Sequence, residues 1–379
     1  MKILHVVPNI DLSQGGPSRT TVYLANSLSD YECEIFFYAH RSEDCNRLSF
    51  SLKVVDLVSR SNNSFLSKYI CADYFVIQNI IKKYQIDLLH IHGVWHLLGH
   101  WSARAAASLN VPYIIQPRGM LEPWAMNYKR LKKLFAMTLY QGSDLRGASG
   151  FVATSDQEAR SILALCGSNQ VTVIPNGVEP AAHYPFLNKV ASRRTALFMS
   201  RIHPKKGVYE LVRAWARVRP EGWCLRIVGP DDGGHLDRIR RLVDSLSVGS
   251  IVSVVGPVYG VSREVEFAGA SLFILPTYSE NFGVAVAEAL SYGIPVLTTK
   301  GAPWSSIVDN KCGWWIDTGE ESLVNALPEA LSISDAERFE MGARAKKLAA
   351  NFEWGSVARQ TLDFYSKIIL ASKHNSYKY

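Results

Sequence analysis

Short apolar runs, each followed by a longer amphipathic stretch, recur along this chain in two successive series. No single motif constrains the fold as much as this alternation. In the first series, strands are expected at Ile3–Pro8, Glu34–Tyr38, Leu52–Leu57, Asp87–His92, Tyr113–Gln116, Gly150–Ala153 and Val171–Ile174. Helical spacing is expected between them over Ser18–Leu28, Tyr69–Tyr84, Trp101–Leu109, Lys129–Tyr140 and Asp156–Leu165. The second series places strands at Ala196–Met199, Cys224–Val228, Ile251–Val255, Leu272–Leu275 and Pro295–Thr298. Its helices are expected at Tyr209–Arg217, Leu236–Leu246, Val261–Ala268 and Val284–Ser291, followed by Leu323–Leu331, Ala336–Asn351 and Ser356–Ser372. Strands alternating with helices of this length predict parallel sheets covered on both faces, hence an α/β fold.

A chain of 379 residues exceeds one core of usual size, so two domains are expected. The boundaries fall at 1–180 for the first domain, 181–194 for a polar, proline-bearing linker, and 195–355 for the second. A final helix, 356–379, is expected to cross back to the first domain. Open parallel sheets take ligands at the carboxyl ends of their strands. Two such sheets would face each other across a cleft, one holding a donor and the other an acceptor.

Several classes are disfavoured by composition. The net charge of +7 divides into +3 up to Glu179 (17 basic, 14 acidic) and +4 after it (24 basic, 20 acidic), which is no nucleic-acid arm. Six scattered cysteines without a C-x-x-C pair suit neither a disulfide framework nor a zinc site, and fit a reducing cytoplasm. The opening MKILHVVPNI reads as a first strand rather than a secretory signal. No apolar stretch reaches the roughly 20 residues that a membrane-spanning helix needs.

The strongest chemical constellation lies in the second half. Ser200-Arg201-Ile202-His203-Pro204-Lys205-Lys206-Gly207 follows an expected strand and leads into a helix. Arg201 and Lys206 there could clamp an anion, aided by the helix N-terminus, although a basic surface turn reads the same way. Glu280-Asn281-Phe282-Gly283-Val284-Ala285-Val286-Ala287-Glu288 follows another strand and opens a helix. Glu280 and Glu288 could grip one extended ligand at two points, and Gly283 would allow close backbone approach. Taken alone, the pair could equally be a helix-start acid and a solvated position. Gly15-Gly16, after the first strand, could bring amides to a phosphate or simply form a turn. Ile174-Pro175-Asn176-Gly177-Val178 is by itself a turn signal.

In this order and context, the motifs resemble those of family 4 glycosyltransferases, a retaining group with the GT-B fold of two Rossmann-like domains. The resemblance implies that Arg201 and Lys206 hold a donor diphosphate and that Glu288 hydrogen-bonds the nucleotide ribose. It implies that Glu280 lies near the donor sugar and its phosphate. Asn281, Phe282, Gly283 and Val284 would contact sugar hydroxyls through their backbone amides, and Gly15 and Gly16 would approach the diphosphate. The donor would be a UDP- or GDP-linked sugar serving as substrate, with no separate cofactor. No Asp-x-Asp motif is present, so Arg201, Lys206 and backbone amides are expected to replace a metal. Activity should then survive chelation.

The first domain is expected to take a glycan or lipid-linked acceptor. His92 closes the strand pattern His90-Ile91-His92-Gly93, either as a site residue or as a satisfied core histidine. Gln116-Pro117-Arg118-Gly119-Met120-Leu121-Glu122-Pro123-Trp124 is too rich in distinctive side chains for a plain connector. Arg118, Glu122 and Trp124 are its candidates. Many relatives carry a histidine where Arg118 stands, and arginine cannot act as a base near neutral pH, so Arg118 is expected to bind an anion or a sugar hydroxyl. Tyr128–Phe135 carries four cations on an expected amphipathic helix, which suits an anionic membrane surface or a solvated face. The implied setting is bacterial surface polysaccharide synthesis: lipopolysaccharide O-antigen, capsule or exopolysaccharide. A nucleotide-sugar 2-epimerase of the same fold and a non-catalytic sugar-nucleotide scaffold are the competing readings.

Overall fold

The computed structural model describes residues 1–9, 16–41, 57–61, 72–167, 170–181 and 194–376. They form two compact units, Met1–Gly177 with Trp354–Tyr379, and Val178–Glu353. The first runs β1 (Lys2–Asn9), α1 (Gly16–Ser29), β2 (Glu34–Arg41), β3 (Leu57–Ser61), α2 (Ala72–Tyr84), β4 (Leu88–His92) and α3 (Leu97–Ser108). It continues through β5 (Tyr113–Gln116), α4 (Pro123–Asn127), α5 (Arg130–Ala136), α6 (Gly142–Gly147), β6 (Gly150–Ala153), α7 (Asp156–Cys166) and β7 (Val171–Val173). The second runs β8 (Arg194–Met199), α8 (Val208–Val218), β9 (Trp223–Val228), α9 (His235–Ser245), β10 (Val252–Gly256), α10 (Val261–Ala268) and β11 (Leu272–Leu275). Then come α11 (Val284–Ser291), β12 (Val296–Thr299), α12 (Ser306–Asp309), β13 (Gly313–Ile316), α13 (Glu320–Ser332) and α14 (Asp335–Ala349). The chain returns to the first unit in α15 (Trp354–Ser376).

Among the described residues, the first sheet has the order β3-β2-β1-β4-β5-β6-β7 and the second β10-β9-β8-β11-β12-β13. Every paired neighbour is parallel. Each is a doubly wound, Rossmann-like sheet whose strand order reverses once, between β1 and β4 in the first and between β8 and β11 in the second. Such reversal points open a crevice at the strand ends where ligands bind.

Period-two alternation explains the layers of the first unit. Leu4 and Val6 of β1 enter a core with α2, α3, α6 and α7, while Ile3 and Val7 enter another lined by α1 and α15. Trp354, Val357, Ala358, Phe364, Tyr365 and Ile368 place α15 in that second layer. The second unit has one continuous core, with Trp215 and Trp304 its largest fully buried side chains. Among the described residues, Cys33, Cys166, Cys224 and Cys312 are free thiols, and Cys45 and Cys71 lie outside them.

Three differences from the sequence expectations have physical causes. The third strand is Leu57–Ser61 rather than Leu52–Leu57, and residues 52–56 lie outside those described. β13 was not expected, because its Trp314-Trp315 is half-exposed at the sheet edge and makes no long apolar run. The single helix expected over Lys129–Tyr140 is interrupted. Lys129 adopts a left-handed conformation, α5 lasts seven residues, and a π-helical turn, Met137–Gln141, carries the chain into α6. A π turn inserts a residue into the helical repeat and rotates the side chains that follow.

Candidate functional site

In the second unit, the expected donor residues sit at the β8/β11 reversal. The strand β8 ends at Met199 and is followed by Ser200-Arg201, and Pro204–Lys206 form a single 3-10 turn whose entry is capped by His203 Nδ1, which accepts from the Lys205 amide (3.1 Å). Gly207 closes the turn at φ +70°. A Cβ there would lie 2.0 Å from the Pro276 carbonyl oxygen, so only glycine lets the β8 and β11 loops touch. The loops are stitched together at the Lys205 carbonyl, which accepts from the Tyr278 amide (2.8 Å) and the Thr277 hydroxyl (3.1 Å). This contact sets Lys206 against the next loop, where its ammonium forms an ion pair with Glu280 Oε1. Lys206 is only 8% exposed, so the pair is shielded from screening by solvent.

Glu280 is fixed at its backbone too, its amide donating to the Gly301 carbonyl (2.7 Å). The indole of Trp304 donates to the Phe282 carbonyl and packs against the Phe282 ring. Gly283, at φ +81°, is the N-cap of α11 and supplies no side-chain cap. The first amides of α11, beginning with Val284, therefore point out of the helix end as donors for a ligand. Asn281 lies between these anchors in the same loop.

Arg201 and Lys206 do not share a partner. Arg201 pairs with Asp232 (2.8 Å), an exposed contact. The neighbouring Asp231 caps α9 by accepting from the Gly234 and Leu236 amides (both 2.9 Å), which hold its carboxyl below the usual range. Glu288 is held by a bidentate contact from Arg263 of α10, with Nη1 at 2.8 Å from Oε1 and Nη2 on Oε2. Each charge expected to meet the donor thus already has an internal partner of opposite sign. Asp232 and Arg263 were not among the residues singled out by sequence. Their only sequence signals are a charge a few residues past β9 for Asp232 and a charge in the first turn of α10 for Arg263.

In the first unit, His92 is turned into the layer beneath α1 and α15. It joins His5 of β1 and His90, and all three are almost wholly buried. The rings of His90 and His92 stack at 4.0 Å, and those of His5 and His92 at 5.1 Å. Arg118 donates through Nη1 to Thr20 Oγ1 (2.9 Å), and through Nη2 to Thr21 Oγ1 (2.8 Å) and His92 Nδ1 (3.0 Å). With Nδ1 accepting, His92 Nε2–H donates to His5 Nδ1 (2.9 Å). Gln116 lies 3.1 Å from the same His92 nitrogen. The Tyr365 hydroxyl, kept protonated by burial, donates to His90 Nδ1 (2.6 Å). Burial, reinforced by the Arg118 charge, lowers the pKa of His5 to about 3 and holds those of His90 and His92 well below the usual value. Burial also lowers Arg118 to about 10.

The three imidazoles bring nitrogens within 4.8 Å of one another. Stacked rings set those nitrogens side by side rather than converging on a centre, and the adjacent guanidinium repels a cation. The cluster is a neutral hydrogen-bonded network. Arg118 is its keystone, engaged with protein groups rather than presented outward.

Arg118 and Gly119 have left-handed backbones, φ +57° and +78°. The buried carboxylate of Glu158 secures this strained turn, accepting from the Gly119 amide, the Thr154 amide (2.7 Å) and the Thr154 hydroxyl (2.9 Å). Glu158 was not picked out from sequence, although Ser155-x-x-Glu158 is a capping-box pattern that marks it. Glu122 is the buried N-cap residue of α4, and Trp124 lies exposed on that helix, parallel to the Tyr128 ring. Gly16 opens α1, and Gly15 lies outside the described residues.

No side chain of α4 or α5 is fully buried, although Met126 packs partly against the first unit's core. Leu131, Leu134, Phe135 and Leu139 are 82%, 62%, 67% and 64% exposed, interleaved with Arg130, Lys132 and Lys133. An apolar patch left out in this way marks an interaction surface. No helix among the described residues is long and apolar enough to cross a membrane.

Residues 183–348 match the family model for glycosyl transferases group 1, and residues 14–182 match that for glycosyltransferase family 4. A D-inositol 3-phosphate glycosyltransferase of Kineococcus radiotolerans is 31% identical over 59% of this chain and 58% of its own length. A second, of Pseudarthrobacter chlorophenolicus, is 28% identical over 58% of this chain and 56% of its own. The chain thus spans under two thirds of these relatives. Among solved structures, a glycosyltransferase from Rickettsia africae superposes with a TM-score of 0.77 at 20% identity, covering 97% of this chain and 98% of that one. HepE of Anabaena, in complex with UDP and glucose, gives 0.78 at 18% identity, covering 97% and 100%. At such identities the likeness establishes the GT-B fold alone.

Proposed function

Because the chain belongs to the group 1, family 4 glycosyltransferases, we propose that it transfers a sugar with retention from a nucleotide-sugar donor held by its second unit. One observation carries this reading: the Arg201–Lys206 and Glu280–Gly283 loops are stitched together at the reversal point of the second sheet. The donor diphosphate would draw Arg201 and Lys206 from Asp232 and Glu280 and meet the open amides of α11. Its leaving charge is then neutralised by cations and amides, and no metal is required. The proposed reaction gives Glu280 no covalent role. In the proposed front-face reaction, the departing phosphate takes the acceptor proton. UDP- or GDP-linked sugars are the proposed donors.

The proposed acceptor is a glycan carried on a lipid, used on the cytoplasmic face of a membrane during surface polysaccharide assembly. Support comes from the basic, apolar surface of α4, α5 and the following π turn, whose leucines would enter the headgroup boundary while its lysines meet anionic lipid. A second reading, transfer to a soluble phosphorylated cyclitol, is supported by the relatives' names.

Thermal shift against UDP-, GDP-, ADP- and TDP-sugars tests the donor site, with Lys206→Ala and Glu288→Ala as controls. Stabilisation by one nucleotide class, lost in both variants, is expected. A folded protein stabilised by none refutes the reading. Donor turnover should persist in EDTA, and loss restored by magnesium or manganese would overturn the metal-free mechanism. Co-sedimentation with phosphatidylglycerol vesicles, lost in Leu131→Glu/Phe135→Glu, is expected for a lipid-linked acceptor. Absence of binding moves the acceptor to the soluble class.

A further inference from the structure

Lys206 is carried by a turn too short to hold itself. Two ladder bonds close it, from the Lys206 amide to the His203 carbonyl and from the Gly207 amide to the Pro204 carbonyl (both 2.9 Å). The leading amides of such a turn find no carbonyl within it. Pro204 brings no N–H, and the Lys205 amide donates to His203 Nδ1 (3.1 Å). His203 therefore holds the entry twice, once through its carbonyl and once through its ring. Its backbone is extended, φ −144° and ψ 144°, as at a helix N-cap. With Nδ1 accepting, the ring proton sits on Nε2. Only the neutral ring can make this contact, because a protonated Nδ1 would point one N–H at another.

The half-buried ring is backed by a second imidazole. His235, the first residue of α9, meets it edge to face at 5.6 Å, and the Tyr209 hydroxyl of α8 lies 2.8 Å from His235 Nδ1. Burial lowers the pKa of His203 from its ordinary 6.5. Asp232 opposes that shift, and His235, Arg201 and Lys205 add to it. The contact is thus complete at neutral pH and is lost on the acid side.

We propose that His203 is a positioning residue for the donor: by capping the 3-10 turn through Nδ1, it holds the Lys206 ammonium where a nucleotide-sugar diphosphate meets it. This rests on the donor reading of the second unit. Without the cap, the turn opens in the free protein and the donor has to re-form it, so the loss falls on affinity. A cap serving structure alone would be lost equally from the free and the bound protein. Melting would then drop while affinity stayed the same. A histidine that met the phosphates as a cation would instead tighten binding on acidification.

The test is isothermal titration of the full chain with UDP-glucose and GDP-mannose at pH 7.5 and pH 5.5, in wild type, His203→Ala and His203→Asn. The diphosphate of these ligands carries no titrating proton across that range, so the ligand charge is constant. Asparagine puts Oδ1 where histidine has Nδ1, and so keeps the cap with no proton to gain. At pH 7.5 the alanine variant should bind whichever ligand the wild type takes about 3- to 30-fold more weakly, the range of a lost cap, and the asparagine variant should stay within about twofold. At pH 5.5 the wild type should weaken toward the alanine variant while the asparagine variant holds. Comparing the two at each pH cancels the titration of groups elsewhere, and decides the matter alone if the alanine variant fails to fold. Alanine binding as tightly as wild type overturns the inference, as does asparagine binding as weakly as alanine, or a wild type that keeps pace with asparagine or tightens against it on acidification. Each of those results leaves the donor site standing. A wild type that binds neither ligand removes the donor reading, and the role of His203 with it.

Discussion

Acidification from pH 7 to pH 5 should unfold the first unit selectively, through its histidine cluster. His5, His90 and His92 are neutral in the native state, and burial keeps their folded pKa values below the unfolded value of 6.5. Between those two values the unfolded chain binds protons that the native chain refuses. Stability is therefore complete above about pH 6.5 and declines as pH falls, for His5 down to its folded value of about 3. Integrating the linkage relation from pH 7 to 5 gives a loss of about 2 kcal/mol per neutral histidine, and about 6 kcal/mol if all three stay neutral. The matching assay is amide hydrogen exchange over β1 and β4, corrected for intrinsic rates, because two units make global unfolding a poor two-state measure. Carboxylates elsewhere also titrate in this interval, so the decisive comparison is His5→Phe. That variant removes one titrating site and should reduce the pH 7-to-5 loss by about 2 kcal/mol. An equal loss in variant and wild type refutes the claim that this cluster sets the acid sensitivity.

Three other substitutions probe the framework around the two sites. Gly207→Ala puts a Cβ against the Pro276 carbonyl at a left-handed φ, and should lower donor affinity about tenfold or more by parting the two loops; unchanged titration would contradict this. Trp304→Phe leaves the Phe282 carbonyl buried without its indole donor, and should cost about 1–3 kcal/mol and raise KM for the donor; an unaltered melting curve would count against it. Tyr365→Phe removes the hydroxyl that donates to His90 and should cost about 1–3 kcal/mol, read as faster exchange of α15 amides relative to the second unit.

Where burial dictates sequence, the fold could be read closely. β5, β6, β11, α10 and α11 have the bounds that apolar runs and periodicity suggest. Reading failed where local conformation overrides pattern. The αL residue Lys129 and the following π turn break a segment whose spacing looks continuously helical, and its apolar side chains face solvent instead of a core. In the second unit, Lys206 and Glu280 form an ion pair that the sequence reading did not foresee; it arises because both follow strands that flank one reversal point. Spacing could not identify Asp232 or Arg263, whose significance lies in contacts across 31 and 25 residues. Nor could it show that Arg118 binds inward, since that depends on Thr20 and Thr21 lying nearly 100 residues away in sequence, at separations of 98 and 97.

The return of α15 to the first unit also fixes an order of events during synthesis. The sheet of that unit is complete by Val173, yet the layer over Ile3, Val7 and Leu24 lacks Trp354 and the residues that follow it. From Gly177 to Trp354 is 354 − 177 = 177 residues, which a ribosome adds in roughly 10–35 s at about 5–20 residues per second. During that interval the nascent chain carries a finished sheet with one face covered by α1 but not yet by α15, while the second unit, contiguous in sequence, can emerge and fold entirely. The unit that begins first is therefore the one that finishes last. An early stop in α15 should yield a chain whose second unit is native and whose first unit is a chaperone client.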